Sequence, residues 1–297
     1  MTGWDNPLQE VRLDIDVSPA VERALTCDPS IDQFFPSETL ACAIPSGEVN
    51  LNGVLYTAGG AGPHPTVVLL HGLPGNEQNV DLAQSVRRAG WNVLTFHYRG
   101  SWGSPGQFSF ANCIEDAAAA IGWLQRVHHI ADFRIDPDAF AVVGHSMGGF
   151  IAAYVAAHHP VIKAVALISA ADLGGAFGDP PFNRAVSVVD ENVGTSTGLH
   201  ILAGTSPQAL AAEATANAAQ WRLCNFADRL DGRPLLICTS DDGFAAGNRE
   251  LADAMSASTG RLEQTHFSTD HSYSDHRIAL QRRVLGWLLS MRVSCPR

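Results

Sequence analysis

A serine flanked by glycines is the strongest chemical signal in the sequence. Ser146 lies in residues 144–149 (GHSMGG), after the apolar run at residues 140–143 and before the apolar, alanine-rich stretch 147–158. A strand that turns sharply into a helix at a serine exposes the hydroxyl, and flanking glycines let the two elements approach closely. The helix N-terminus, here the Met147 N–H, also points at developing negative charge. The pattern predicts a nucleophile at Ser146, the alternative being a tight turn with an inert serine.

A second glycine-containing loop, residues 71–75 (HGLPG), directly follows the apolar run at residues 66–70. Such a loop can direct the Leu73 N–H at the same point as the Met147 N–H, and two N–H donors together form an oxyanion hole. The alternative is a plain turn that ends a strand.

Together these segments resemble the α/β-hydrolase superfamily. HGLPG is similar to that family's oxyanion loop, GHSMGG to its nucleophile elbow, and residues 98–106 (YRGSWGSPG) to the loop after the next strand. Residues 135–138 (IDPD) are similar to members near the dienelactone-hydrolase and acylaminoacyl-peptidase branches. The resemblance covers about residues 39–291. It implies an α/β fold of the α/β-hydrolase type, with an eight-stranded, mostly parallel sheet flanked by helices and the catalytic order serine, acid, histidine.

That order implies where the partners of the serine lie. A serine nucleophile needs a base, and the base needs a carboxylate that fixes its tautomer. Family members place the acid three residues after a common glycine position, which Thr239 occupies here, and this register implies Asp242 rather than its neighbour Asp241. The family's histidine loop is similar to residues 269–274 (TDHSYS), which implies His271 as the base.

Three histidines at a spacing of five leave a zinc site as another interpretation. They are His266, His271 and His276, and no HExxH motif accompanies them. We therefore expect a reaction that uses no metal and no cofactor, with His276 as a surface or capping residue of the last helix.

Candidate substrate-binding residues are aromatic or lie next to the serine. Ligand pockets are lined mostly by apolar and aromatic side chains. The candidates are His145, Trp102, Phe177 and Phe182. Anchoring of loops is the alternative role for the larger aromatic residues.

Apolar runs and helical stretches alternate along most of the chain. Strands are predicted at residues 39–44, 49–56, 66–70, 92–96, 140–143, 163–168, 234–239 and 261–267. Helices are predicted at residues 19–25, 81–89, 114–127, 147–158, 247–256 and 278–291. This alternation favours a parallel sheet with helices on both faces.

The alternation is interrupted by a long insertion. We predict an N-terminal arm at residues 1–38, a core at residues 39–171 and 230–297, and a lid at residues 172–229. The lid sequence begins rich in Gly and Pro and is loop-like to Pro207, with helical pieces expected at residues 207–220 and 223–230. Insertions of this length are commonly functional.

Composition excludes several classes of function. Among 297 residues, 19 Lys and Arg face 30 Asp and Glu, a net charge of −11. An acidic chain binds poorly to nucleic acids and to anionic membranes, because like charges repel, so we expect neither as a partner. No apolar stretch is long enough to span a bilayer, and the first residues contain no basic, apolar leader pattern. The six cysteines form no CxxC motif, which is typical of reduced thiols in a cytoplasmic protein.

The leading hypothesis is a serine hydrolase of the carboxylesterase type that cleaves a small or medium-sized ester through an acyl-enzyme intermediate. The same residues could act on an amide, peptide or thioester, and less readily serve an acyltransferase or a lyase. A non-catalytic binding protein on the same fold is the last alternative. The acyl and leaving groups and the oligomeric state stay open.

Overall fold

One mixed sheet forms the centre of the molecule. The computed structural model describes residues 18–178, 180–193, 199–255 and 260–293. Within these ranges the strands are β1 (Glu38–Ser46), β2 (Val49–Thr57), β3 (His64–Leu70), β4 (Asn92–Phe96), β5 (Ile135–His145), β6 (Ile162–Ile168), β7 (Leu235–Ser240) and β8 (Leu262–Phe267).

The strand order is β1-β2-β4-β3-β5-β6-β7-β8. β2 pairs antiparallel with β1 and β4, and every other pair is parallel. The predicted eight-stranded, mostly parallel α/β fold is therefore confirmed. The carboxyl ends of β3, β5, β6, β7 and β8 meet at one edge of the sheet, which is where ligand sites form in open α/β sheets.

Helices cover both faces of the sheet. They are α1 (Pro19–Thr26), α2 (Val80–Arg88), α3 (Phe110–Leu124), α4 (Val127–Asp132), α5 (Met147–His158), α6 (Leu173–Gly178), α7 (Phe182–Val193), α8 (Pro207–Asn217), α9 (Ala227–Leu230), α10 (Ala245–Ala254) and α11 (Arg277–Val293). Short 3-10 helices lie at Leu199–Ile201 and Leu223–Phe226.

The apolar runs produce a core on each face. All seven residues of β3 are buried. Because side chains alternate along a strand, Val68 and Leu70 join the cluster under α3 and α5, whereas Val67 and Leu69 join the cluster under α1, α2 and α11. A strand buried on both sides reads as a continuous apolar run, which is why these strands were visible in the sequence.

Helix α3 begins four residues before its predicted start. The Ser109 hydroxyl accepts the N–H of Asn112, so Ser109 is the N-cap. The Glu213 carboxylate, from α8, accepts the N–H groups of Phe110 and Ala111 at 2.8 and 2.9 Å. Two of these three capping hydrogen bonds come from a residue far away in the sequence, which the local pattern does not reveal.

The insertion between β6 and β7 is more helical than predicted. The stretch before Pro207 was expected to be loop-like, but it contains α6 and α7. In α7 the buried residues Ala185 and Val189 are four apart, one helical turn, and α7 packs against α8. The amphipathic pattern of α7 is short, and the Gly and Pro residues before it favoured the prediction of a loop. The predicted boundaries of arm, core and lid stay predictions, and residues 1–17 of the arm lie outside the described ranges.

Two further features bear on the environment of the chain. Among the described helices, none is both long and apolar enough to cross a bilayer. The cysteines at positions 27, 42, 113, 224 and 238 are unpaired, and Cys295 lies outside the described ranges. The cytoplasmic location stays a prediction.

Candidate active site

Ser146 occupies a strained turn between β5 and α5. Its φ and ψ are 58° and −123°, a positive φ that residues with a Cβ rarely adopt. Glycines make the turn possible, because a Cβ at Gly144 would collide with the Gly148 carbonyl and one at Gly148 with the Leu70 carbonyl. The geometry is that of a sharp strand-to-helix turn with the serine at its apex.

The loop after β3 passes directly over this serine. A Cβ built on Gly72 would lie 2.8 Å from the Ser146 Cβ and 3.2 Å from its Oγ. Leu73, the next residue, lines the same cavity as Ser146 and Met147. Met147 is the first residue of α5, where a backbone N–H has no partner within the helix. Both predicted oxyanion donors thus belong to segments that border the serine.

The candidate base and acid contact each other. His271 lies in the loop between β8 and α11, and its Nδ1 is 2.7 Å from Asp242 Oδ2. The Asp242 side chain is only 3% exposed. Asp241 points the other way, is 61% exposed and binds His266 Nε2 at 3.1 Å. Of the two adjacent aspartates, only Asp242 faces the histidine that lines the serine's cavity.

Several donors hold the Asp242 carboxylate in its ionised form. The Phe244 N–H donates to Oδ1 at 2.9 Å, and the Ser169 and Ser240 hydroxyls also bind the carboxylate. The Tyr273 hydroxyl is 3.0 Å from Ser169 Oγ and so extends this network. Burial opposes ionisation, but the hydrogen bonds from the histidine and from Ser169 outweigh it and lower the Asp242 pKa to about 2.

Sequence reasoning missed this supporting network. Ser169 directly follows β6, Ser240 ends β7, and Tyr273 lies two residues after the histidine. A signal existed, because the ends of neighbouring parallel strands must converge at one edge of the sheet. A single serine after a strand is nevertheless too common to single out.

His145 lies beneath the histidine loop. It is 3% exposed, its Nε2 is 2.8 Å from the carbonyl oxygen of His271, and the two rings are 4.7 Å apart. Burial and the neighbouring His271 lower the His145 pKa to about 3, so the ring is neutral. It is among the residues that line the cavity, but its Nε2 is directed at protein backbone.

The cavity beside the serine measures about 230 Å³. Its apolar wall comes from the loop after β3, from α3 and α5, from the helical insertion and from the residue before α10: Leu73, Phe110, Met147, Leu173, Phe177, Val188, Val189 and Phe244. Phe177 is therefore placed in the cavity wall. Phe182 begins α7, and its side chain lies outside what the structure describes.

Trp102 is not among the residues that line this cavity, and its contacts fit the alternative role of anchoring a loop. Its backbone has a φ of 47°, and its indole N–H donates to the Pro74 carbonyl at 2.9 Å. The side chain therefore holds the loop after β3 through the Pro74 carbonyl. This contact depends on the positive φ, which neither residue type nor spacing indicates.

The three regularly spaced histidines do not converge. Each has a carboxylate partner of its own: His266 with Asp241, His271 with Asp242, and His276 with Asp275. In the part of the chain that the structure describes, no group of three or more His, Cys, Asp or Glu side chains is arranged to hold a metal ion.

Comparison with known proteins places the fold in a wider group. A family model described as "alpha/beta hydrolase fold" matches residues 65–236, more than half of the chain. An uncharacterized protein of Mycobacterium tuberculosis is 34% identical over 106 residues, which are 35% of each chain. A lysophosphatidylserine lipase of Danio rerio is 32% identical over 92 residues, 30% of this chain and 22% of that protein. The chain thus spans about a third or less of the curated relatives it matches.

Solved structures agree over nearly the whole length. A thermophilic carboxylesterase cloned from a metagenomic library has a TM-score of 0.65 and 23% identity, and covers 96% of this chain and 100% of its own. An esterase of Pyrobaculum calidifontis has a TM-score of 0.65 and 19% identity, and covers 92% of this chain and 89% of its own. At these identities the likeness concerns the fold.

Proposed function

Starting from the fact that the chain belongs to the alpha/beta hydrolase fold family, we propose that it hydrolyses carboxylic esters with Ser146, His271 and Asp242. One observation carries the proposal. The Asp242 carboxylate binds His271 Nδ1 at 2.7 Å, and that histidine lines the same cavity as the strained Ser146. A fold alone does not define an activity, and this arrangement of acid, base and nucleophile is what supports the proposal.

The tautomer of His271 follows from its partner. An ionised carboxylate only accepts hydrogen bonds, so His271 Nδ1 carries the proton and Nε2 has a free lone pair. Nε2 takes the proton of the Ser146 hydroxyl while Oγ attacks the ester carbonyl carbon. The Asp242 carboxylate, with its pKa held near 2, then stabilises the imidazolium that forms.

The negative charge in the tetrahedral intermediate collects on the former carbonyl oxygen. The Leu73 and Met147 N–H groups are the proposed donors to this oxyanion, in a site already shaped before substrate binds. When the intermediate collapses, the carbon–oxygen bond to the alcohol breaks, and Nε2 gives its proton to the departing oxygen. Water then attacks the acyl-enzyme with the same histidine as base, which releases the acid and restores Ser146.

The cavity wall supports an apolar acyl group as the part of the substrate held beside the serine. Buried apolar side chains form this wall, among them Met147, Phe177 and Val189. An aliphatic or aromatic acyl chain bound against it would displace water without leaving polar groups unpaired. Helices α6 and α7 contribute Phe177 and Val189, which supports the predicted role of the insertion as a lid.

The first test is labelling with a fluorophosphonate, followed by turnover of a series of p-nitrophenyl esters. We expect the probe to label the wild type and not Ser146→Ala, and kcat of that variant to fall by about 10⁴–10⁶. Ser187→Ala, in α7, serves as a matched control with its nucleophile intact. Near-normal turnover by Ser146→Ala would contradict the proposal.

A matched pair of variants tests the acid. Asp242→Asn keeps the shape but favours the wrong histidine tautomer, so we expect kcat to fall by about 10⁴. Asp241→Asn changes an exposed carboxylate that binds His266, and we expect kcat within about twofold of wild type. Equal effects of the two changes would refute the choice of Asp242.

Paired p-nitrophenyl ester and p-nitroanilide substrates with the same acyl group separate esterase from amidase. We expect turnover of the ester and no detectable turnover of the anilide, because a site that serves esters does not assist the departure of the poorer amine leaving group. Comparable rates on both would favour the amide alternative.

A further inference from the structure

Two side chains hold successive carbonyl groups of the histidine loop. His145 Nε2 lies 2.8 Å from the carbonyl oxygen of His271, and Arg277 Nη1 donates to the carbonyl oxygen of Ser272 at 2.9 Å. The first donor ends β5, immediately before Ser146, and the second begins α11. The backbone that carries the base is thus fixed from two separate elements.

The hydrogen bond from His145 has a defined direction. A carbonyl oxygen only accepts, so the proton of this neutral ring is on Nε2. Nδ1 is then a bare acceptor, and it has no hydrogen-bond partner among the described residues. Because the ring is buried against the imidazole of His271, with 4.7 Å between ring centroids, it has little freedom to turn away.

Arg277 is itself firmly anchored. Its Nε and Nη2 donate to the two carboxylate oxygens of Asp81 at 3.0 and 2.5 Å, and Nη2 also donates to Asn79 Oδ1 at 2.9 Å. Bidentate contacts of this kind fix orientation as well as position. Asp81 belongs to α2, so the second anchor connects the histidine loop to the helix that follows the oxyanion loop.

We propose that His145 is a positioning residue for the base: the residue before the nucleophile donates a hydrogen bond to the backbone of His271 and thereby sets the distance between nucleophile and base. This inference rests on the proposed function. If the end of β5 moves slightly, Ser146 and His271 then move with it and the distance between them is kept. Without the donor the loop can drift, and a misplacement of about 1 Å can cost about 10²-fold in rate.

Two substitutions at His145 separate the hydrogen bond from simple packing. In His145→Gln the amide nitrogen is as far from the backbone as Nε2 and can donate to the same carbonyl, whereas His145→Leu fills the space without a donor. We expect His145→Leu to lower kcat by about 10–100-fold with KM changed less than about threefold. His145→Gln should recover to within about fivefold of wild type. His128→Leu, an exposed residue in α4, controls for loss of a histidine.

Amide hydrogen exchange gives a readout that does not depend on the choice of substrate. We expect the amides of residues 269–274 to exchange at least about tenfold faster in His145→Leu, while amides of β5 and β6 stay protected. Equal kcat values and equal loop exchange in the Leu and Gln variants would overturn the inference. So would a change confined to KM.

The experiments distinguish a failure of the proposed function from a failure of the inference about His145. If the wild type neither reacts with a fluorophosphonate nor cleaves esters, the catalytic proposal fails, whereas the exchange experiment still decides whether His145 holds the loop. If His145→Leu does not fold, His145→Phe tests the same hydrogen bond, since a phenyl ring also fills the space without a donor. We expect faster exchange of residues 269–274 and a lower kcat than in His145→Gln. Unchanged exchange in His145→Phe would then overturn the inference.

Discussion

Gly72→Ala should inactivate the site without disturbing the fold. The added Cβ would lie 2.8 Å from the Ser146 Cβ, 3.2 Å from its Oγ and 3.2 Å from the His145 carbonyl oxygen. Ordinary contacts between carbon atoms are about 3.5–4.0 Å. Gly72 does not have a positive φ, so alanine suits its backbone. Either the serine or the oxyanion loop must therefore move by roughly 0.7–1 Å to accommodate the methyl group.

A displacement of this size is large for catalysis. Misplacing reacting groups by about 1 Å costs about 10²-fold, and loss of one oxyanion donor costs about 10²–10³-fold. We expect kcat/KM of Gly72→Ala to fall by about 10²–10³-fold. This corresponds to about 3–4 kcal/mol of lost transition-state stabilisation. The free energy of unfolding should change much less, because the loop can shift into the cavity beside it.

Steady-state hydrolysis of a p-nitrophenyl ester and urea unfolding measure the two effects. Gly122→Ala is the matched control. Gly122 lies in α3, a Cβ there would meet nothing within 4 Å, and alanine is the better helix former by about 1 kcal/mol. We expect this control to keep full activity and to be slightly more stable. If Gly72→Ala keeps wild-type kcat/KM, the close approach of the oxyanion loop to Ser146 is wrong.

Three further predictions concern stability. Asp116→Ala removes a fully buried carboxylate that accepts hydrogen bonds from the Arg99 N–H, from Arg99 Nε at 2.6 Å and from the Ser46 hydroxyl. Urea unfolding should show a loss of about 3–5 kcal/mol, because these donors lose their acceptor while Arg99 keeps its exposed partner Glu115, and a loss below about 1 kcal/mol would contradict this. Glu213→Ala leaves two N–H groups at the start of α3 uncapped, which should cost about 1–2 kcal/mol in the same assay, whereas no change would show that water replaces the carboxylate. Burial lowers the His71 pKa from 6.5 to about 4. Between these two pH values the imidazole is protonated in the unfolded chain but not in the folded one, so the free energy of unfolding falls as the pH drops from 6.5 towards 4. His71→Asn, which keeps a donor for the Gly72 carbonyl, should make this fall shallower, and an unchanged slope would refute the assignment.

The elements of the core could be read from local patterns. Buried strands such as β3 and β6 are continuous apolar runs, and α5 follows the glycine-rich turn at Ser146 with the bounds that the sequence predicts. These signals are short-range, because an apolar run or a glycine-rich turn is contained within a few consecutive residues. Helix α7 was not predicted, because its apolar residues form a buried face only when the distant helix α8 packs against them.

Some residues of the candidate site can be identified from the sequence and others cannot. The candidate nucleophile Ser146 and the glycine-containing loop at residues 71–75 are apparent from the sequence by itself, since each motif is contiguous and follows a recognisable strand. The resemblance to a known family was needed to choose between Asp241 and Asp242, which have the same chemistry and adjacent positions. Their geometry differs because successive residues at a strand end point in different directions, so one carboxylate is buried against His271 and the other faces solvent.

Only the tertiary structure decided what supports those residues. The contact between His145 and the His271 carbonyl joins positions 126 residues apart, and the contact between Ser169 and Tyr273 joins positions 104 apart. For Trp102 the sequence left pocket lining and loop anchoring open, and only the structure shows its contact with the Pro74 carbonyl. Such contacts exist because the ends of parallel strands converge in space, and a sequence specifies that convergence only through the packing of the whole sheet.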